Sequence, residues 1–114
     1  MKKLILILAC LFAAAGLSYA QGKAVTLRVN TRIYCDHCKE CPSCGNQLEQ
    51  ALYAIKGVRR VDIHEKTMVI EVVYNPGKTD PDQIRRAITS VGYDADELAA
   101  DSAAYGKLDD CCKK

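Results

Sequence analysis

Residues 80–92 read Asp-Pro-Asp-Gln-Ile-Arg-Arg-Ala-Ile-Thr-Ser-Val-Gly, and this stretch carries the signals of one complete helix. Asp80 suits the capping position, Pro81 suits the first helical position, and Gln83 stands three residues after the cap. Gly92 is the expected stop. The apolar side chains between these signals repeat at i, i+3, i+4 and i+7, which predicts an α-helix with one buried face: Ile84, Ala87, Ile88 and Val91.

The same apolar spacing occurs earlier in the chain, where it predicts a first helix that stops near Gly57. Its buried face would be formed by Leu48, Ala51, Leu52 and Ile55. Alternating residues in Val25–Val29 predict a strand before this helix, and Val58–Ile63 predicts a strand after it. A third strand, Met68–Tyr74, would follow through a hairpin at residues 65–67, with Met68 on its core face.

These elements alternate in the order expected of a ferredoxin-like β-α-β-β-α-β sandwich, an α+β fold. Both helices would cover one face of a four-stranded antiparallel sheet. The fourth strand would be formed by residues 93–98, which are short and acidic for that role. Residues 101–108 are expected to form one more helical stretch before the chain ends.

The N-terminus has the features of a secretory signal peptide. Lys2 and Lys3 precede an apolar run from Leu4 to Leu17, and Ser18-Tyr-Ala20 is a small-residue cleavage site. We therefore expect cleavage after Ala20 and a periplasmic or secreted product without stable membrane association. Loss of the two lysines reduces the 16 basic side chains to 14, equal to the 14 acidic ones. This balance offers no basic patch for nucleic acid.

Four cysteines stand at three-residue intervals between the first strand and the first helix, in the segment Cys35-Asp-His-Cys38-Lys-Glu-Cys41-Pro-Ser-Cys44. Thiolates at this density select Cu(I), Zn(II) or Fe–S clusters, or undergo disulfide chemistry. The N-terminal end of a helix stabilises thiolates, which favours the pair Cys41 and Cys44. Linear or trigonal coordination by two or three thiolates suits Cu(I) or Hg(II), whereas tetrahedral Zn(II) would need further ligands.

The combined pattern resembles the heavy-metal-associated domain, a family that includes copper chaperones, modules of copper-pumping ATPases and the periplasmic mercury-binding protein. The resemblance covers residues 25–96 and is carried by Cys41-x2-Cys44-x3-Leu48-Glu49-x-Ala51-Leu52, Val72-x-Tyr74-Asn75-Pro76 and Ile84-x3-Ile88-x3-Gly92-Tyr93-Asp94. It implies domain bounds of 21–98, with a C-terminal extension over 99–114. It further implies a metal on Cys41 and Cys44, with Tyr93 in the loop beside it.

The chain departs from the family pattern in three places. Lys39-Glu40 stands where the family has Gly-Met-x, which weakens a copper-specific assignment. Cys35 and Cys38 form a second pair with His37 between them, and either pair could be the metal-binding one. Spacing from the helix favours Cys41 and Cys44. Cys111 and Cys112, at the end of the extension, would supply further ligands or a transfer relay.

The expected function is that of an exported protein, not an enzyme, which captures a soft ion and passes it to a transporter or other acceptor. Cu(I) or Hg(II) is favoured, with Zn(II) and Cd(II) as further candidates, and the protein would be a monomer or a metal-bridged dimer. A periplasmic thiol–disulfide redox function is the alternative. An Fe–S cluster and a structural zinc site fit the cysteine spacing less well. The sequence leaves open which ion, which partner and which thiol state applies.

Overall fold

The computed structural model describes residues 23–34 and 45–113, with only the backbone of Cys111. The predicted signal peptide and the cysteine loop, residues 35–44, lie outside them. The elements in chain order are β1 (Val25–Asn30), α1 (Gly45–Tyr53), β2 (Val58–His64), β3 (Val69–Tyr74), α2 (Pro81–Ser90), α3 (Ser102–Gly106) and a 3-10 turn (Asp110–Cys112). Within the described residues no helix is long and apolar enough to cross a membrane.

The strands form an antiparallel sheet in the order β1-β3-β2, with β3 at its centre. Val72 of β3 faces Leu27 of β1 on one side and Val61 of β2 on the other. One core joins the sheet to both main helices, and its fully buried members include Val29, Leu48, Leu52, Ile70, Val72, Ile84 and Ile88. The predicted α+β, ferredoxin-like fold is confirmed in these elements and in its similarity to solved structures given below.

The helix α2 forms as its sequence signals predict. The Gln83 backbone N–H donates to Asp80 Oδ1 at 2.9 Å, and Pro81 occupies the first turn. The apolar stripe is buried, since Ile84 and Ile88 are both fully covered. Gly92 then adopts a φ of +101°, a conformation that residues with a Cβ rarely adopt.

The predicted fourth strand is not found among the described residues. Residues 95–98 instead form a tight reversal in which Ala95 and Leu98 exchange backbone hydrogen bonds of 2.9 Å. Asp96 lies within it at a φ of +53°, which Asp tolerates better than most residues. Its backbone N–H donates to the Asn30 carbonyl at 2.7 Å, so the chain touches the end of β1 once and then turns back.

Tertiary contacts hold this reversal in place, which is the physical reason that the strand prediction was wrong. Asp96 Oδ1 accepts a hydrogen bond from the Asn30 N–H at 2.9 Å, and Arg85 Nε donates to Asp96 Oδ2 at 2.9 Å. Burial alone would raise the pKa of Asp96. The hydrogen bonds from Arg85 and Asn30 outweigh that effect and hold the pKa below its ordinary value.

The prediction for Met68 was also wrong. Met68 has a φ of +55° and is 38% exposed, so it closes the turn between β2 and β3 and does not lie on the core face of β3. Its carbonyl accepts a hydrogen bond of 2.9 Å from the Thr31 N–H. The alternating pattern of β3 thus begins one residue later, at Val69.

Candidate metal centre

Both ends of the cysteine loop are fixed by buried residues. On the β1 side Ile33 is 3% exposed and is followed by Tyr34, the last described residue before Cys35. On the other side α1 begins at Gly45, directly after Cys44 in sequence, and Leu48 is 1% exposed. The loop therefore starts and ends on the hydrophobic core.

The N-terminal end of α1 favours anionic ligands beside it. The unpaired N–H groups and the helix dipole at such an end stabilise thiolates. The first turn of α1 carries no acidic side chain that would repel them. The described end of the helix that follows Cys44 is thus electrostatically suited to a pair of thiolates.

The chain that leaves α2 lies at the same end of the molecule as the loop. Arg32, two residues after β1, forms an ion pair of 3.6 Å with Asp94. A cavity of about 200 Å³ is lined jointly by Arg32, Tyr34, Gly92 and Asp94, with Ala100 and Tyr105. Tyr93 stands between two of these lining residues and is 3% exposed within the core. This places Tyr93 near the attached ends of the loop, and its role beside a metal stays a prediction.

The predicted ligands themselves fall mostly outside the described residues. Cys35, His37, Cys38, Cys41 and Cys44 all belong to that undescribed segment. In residues 23–34 and 45–113 no three His, Cys, Asp or Glu side chains gather in a group that could hold a metal ion. Metal binding by the loop cysteines therefore stays a prediction.

Cys112, the last cysteine of the chain, is part of the hydrophobic core. It is 1% exposed and takes part in a disulfide bond. Leu108, four residues earlier, is 7% exposed and belongs to the same core cluster. The sequence did not predict this packing. α3 ends at Gly106 and Cys112 lies in a separate 3-10 turn, so no continuous helix joins Tyr105 to Cys112 and no helical spacing signals their burial.

Comparisons with known proteins agree with this architecture. Residues 40–94 match the family model of the heavy-metal-associated domain. Over 55 residues the chain is 36% identical to a copper-exporting P-type ATPase of Staphylococcus haemolyticus, an alignment that covers 48% of this chain and 7% of the ATPase. The chain thus spans less than a tenth of the length of the curated relatives that it matches.

Solved structures show the same fold. A CopZ metallochaperone aligns with a TM-score of 0.53 at 29% identity, covering 62% of this chain and 98% of the chaperone. A copper-binding domain from HMA7, a P-type ATPase, aligns with a TM-score of 0.54 at 23% identity, covering 68% and 96%. The matched part of the chain, residues 40–94, therefore has the sequence pattern of a heavy-metal-associated domain, and the described elements have the fold of the solved structures. The family match begins at residue 40, so it contains Cys41 and Cys44 and excludes Cys35 and Cys38.

Proposed function

We propose that this protein captures one soft metal ion on the thiolates of Cys41 and Cys44 and passes it to a transporter or other acceptor protein. The observation that carries the proposal is the extent of the family match, which includes this cysteine pair directly before α1. Thiolate ligands select soft ions, so Cu(I) or Hg(II) is the favoured cargo. Zn(II) and Cd(II) are the further candidates.

Transfer would proceed by stepwise exchange of thiolates. An acceptor thiolate first adds to the bound ion, and one of Cys41 and Cys44 then leaves, so the ion always keeps at least two sulfur ligands. This exchange needs a site with an open coordination position, because a closed four-ligand site would retain the ion as a structural element. The copper chaperone and ATPase relatives support an acceptor of the same domain type.

Cys35, Cys38 and His37 are proposed as additional ligands that enlarge the site, or as the ligands that join two copies through one ion. Export through the predicted signal peptide would place the protein in the periplasm or outside the cell. The intact mass of the protein recovered from those fractions tests this directly, because cleavage after Ala20 removes the first 20 residues.

The decisive experiment is anaerobic native mass spectrometry of the reduced protein, offered Cu(I), Hg(II) and Zn(II) in competition with a chelator. The variants are Cys41→Ser/Cys44→Ser and, as the matched control, Cys35→Ser/Cys38→Ser. We expect one tightly bound soft ion that only the first variant loses. Equal loss in both variants would mean a shared site of more than two thiolates. Reduced protein that competes for no ion at all would overturn the proposal.

A thiol–disulfide redox function is the second candidate, because Cys112 is disulfide-bonded in this fold. A redox protein of this kind would catalyse the reduction or oxidation of a substrate disulfide through Cys41 and Cys44. Turnover of a disulfide substrate by the metal-free protein, lost in Cys41→Ser, would favour it over metal transfer. We expect stoichiometric thiol exchange without turnover.

A further inference from the structure

The outer edge of β1 is open where a fourth strand would lie, since β3 is its neighbour on the other side. The N–H and the carbonyl of Asn30 point to this outer side, because both are bonded to Asp96. Backbone groups alternate sides along an antiparallel strand, so the N–H and carbonyl groups of Thr26 and Arg28 also point outward. Within the described part of the chain no residue bonds to these four groups. An antiparallel segment would form four hydrogen bonds there.

A groove opens at the Asn30 end of this edge, between β1 and α2. Its volume is about 740 Å³, and it is lined by Asn30, Asp82, Arg85, Asp96, Glu97 and Leu98. Leu98 is 43% exposed, although it is apolar. Val25 lies on the same face of β1 as the buried Val29 and is 44% exposed. Apolar side chains near both ends of the edge are thus open to solvent that an added strand would exclude.

The groove carries a negative charge. Three of its side chains are carboxylates, those of Asp82, Asp96 and Glu97, and one is a guanidinium, that of Arg85. The net charge of these four groups is therefore −2. Arg85 is already paired with Asp96 at 2.9 Å and with Asp82 at 3.5 Å. Glu97 is exposed and forms no ion pair with any residue that the structure describes. Such a groove favours basic side chains in whatever lies beside it.

We propose that the outer edge of β1 binds a basic extended segment of a partner protein, which pairs with β1 as a fourth strand. The backbone of this segment would bond to Thr26 and Arg28. Its basic residues would lie beside the carboxylates near Asn30. Addition of a strand to an open sheet edge is a recurrent mode of peptide recognition. The proposal does not depend on metal binding, because it uses residues of β1, α2 and the reversal at residues 95–98 alone.

A single strand suits this edge better than a second copy of the chain. Pairing of β1 with the β1 of another copy would set the two strands about 4.8 Å apart. It would also bring two α2 helices to the same side of one sheet, since each α2 borders the groove beside its own β1. Packed helices need about 8–10 Å between their axes. A segment that brings only a strand avoids this conflict.

A synthetic peptide tests the pairing by nuclear magnetic resonance. The probe is acetyl-Lys-Lys-Val-Thr-Val-Thr-Val-amide, whose two threonines would pair with Thr26 and Arg28 in antiparallel register. Its lysines then lie at the Asn30 end of the edge. Titration into isotope-labelled, metal-free protein should shift the amide signals of Thr26 and Arg28 until they saturate. The amides of Leu27 and Val29, which face β3, should shift less.

Two control peptides separate hydrogen bonding from charge. Methylation of the two threonine nitrogens of the peptide blocks their N–H groups and should weaken binding roughly tenfold. Replacement of both lysines by glutamate should weaken binding by roughly the same factor. In the protein, Glu97→Lys should narrow or reverse the preference for the lysine peptide. Thr26→Pro should weaken binding of the lysine peptide and keep the ladder to β3, because proline is tolerated where a strand N–H faces outward.

Unshifted Thr26 and Arg28 amides at millimolar peptide would overturn the proposal, as would equal binding of the lysine and glutamate peptides. Slow hydrogen exchange of both amides in the peptide-free monomer would also overturn it, because another part of the same chain would then cover the edge. Shifts of these signals with protein concentration alone would identify a second copy as the occupant and refute the proposed partner. None of these outcomes bears on metal binding, which the chelator competition tests separately.

Discussion

Replacement of Gly92 by Ala should detach the C-terminal extension from the domain. Gly92 ends α2 at a φ of +101°, and a Cβ built on it would lie 2.9 Å from the Tyr105 backbone nitrogen. It would also lie 3.0 Å from the carbonyl carbon and oxygen of Ala104. All three are backbone atoms of α3, so no side-chain rotation can relieve the contact. The extension must move instead.

The expected cost has two parts. A residue with a Cβ in the left-handed region costs roughly 1–2 kcal/mol, and forced overpacking adds about 1–3 kcal/mol. We therefore expect Gly92→Ala to lower the free energy of unfolding by roughly 2–4 kcal/mol, since movement of α3 relieves part of the second term. In the reduced protein it should also expose Cys112, which is 1% accessible in the folded chain.

Two assays separate these effects. Urea titration measures stability, and the rate of maleimide labelling at Cys112, in a Cys111→Ser background, measures detachment of the extension. Gly57→Ala is the matched control, because its φ of +103° imposes similar strain while its Cβ would meet Lys78 instead of α3. Gly106→Ala meets no atom within 4 Å and should change neither readout.

The reasoning is refuted if Gly57→Ala accelerates labelling of Cys112 as much as Gly92→Ala does. Loss of stability would then be global, with no specific contact between Gly92 and the extension. Labelling of Cys112 at the wild-type rate in Gly92→Ala would also refute the reasoning, since a shift within α2 alone would then have relieved the backbone clash.

Three further outcomes follow from the structure. The pKa of Asp96 is held below its ordinary value of 3.8, so its contribution to stability is present above that pH and is lost as the pH falls through the lower folded-state pKa. Urea midpoints from pH 2 to 7 should therefore fall less steeply in acid for Asp96→Asn than for wild type, and parallel curves would contradict this. Asp80→Ala removes the side-chain oxygen that caps the Gln83 N–H and should lower the free energy of unfolding by about 1 kcal/mol in urea titration. An unchanged free energy of unfolding would contradict this stabilising role of the cap. Reduction of the Cys112 disulfide should lower the unfolding free energy by about 2–4 kcal/mol, and an unchanged urea midpoint in reductant would contradict this.

The parts of the fold that could be predicted are those whose signals are local. The cap at Asp80, the stop at Gly92 and the apolar stripe between them all lie within 13 residues, and the structure confirms each. The reversal at Asp96 depends on Asn30 and Arg85, which are 66 and 11 residues away in sequence. No pattern within residues 93–98 encodes those contacts. The contacts of Asp96 with Asn30 and Arg85 therefore overrode the weak strand signal of residues 93–98.

The candidate metal site also has one part that could be predicted from the sequence and one that could not. The spacing of the loop cysteines and their place before α1 indicated soft-metal chemistry, because ligand type and helix position can be read from neighbouring residues. The burial and disulfide bond of Cys112 could not be predicted from neighbouring residues. The six cysteines that follow the predicted signal peptide allow 15 complete pairings, and the choice among them depends on where the chain brings the end of the extension.

The reversal at Asp96 determines where the C-terminal extension begins and which end of the fold it contacts. Had residues 93–98 continued as a strand along β1, they would have carried the chain roughly 20 Å toward the opposite end of the sheet. The extension would then have begun far from the cysteine loop. Because the chain turns back after one contact with Asn30, Asp101 returns to the end of α2 and α3 lies beside Gly92. The lack of a strand at residues 93–98 and the burial of Cys112 are thus two results of one turn, and a chain that formed the fourth strand there would move its last cysteines away from the end where the cysteine loop is attached.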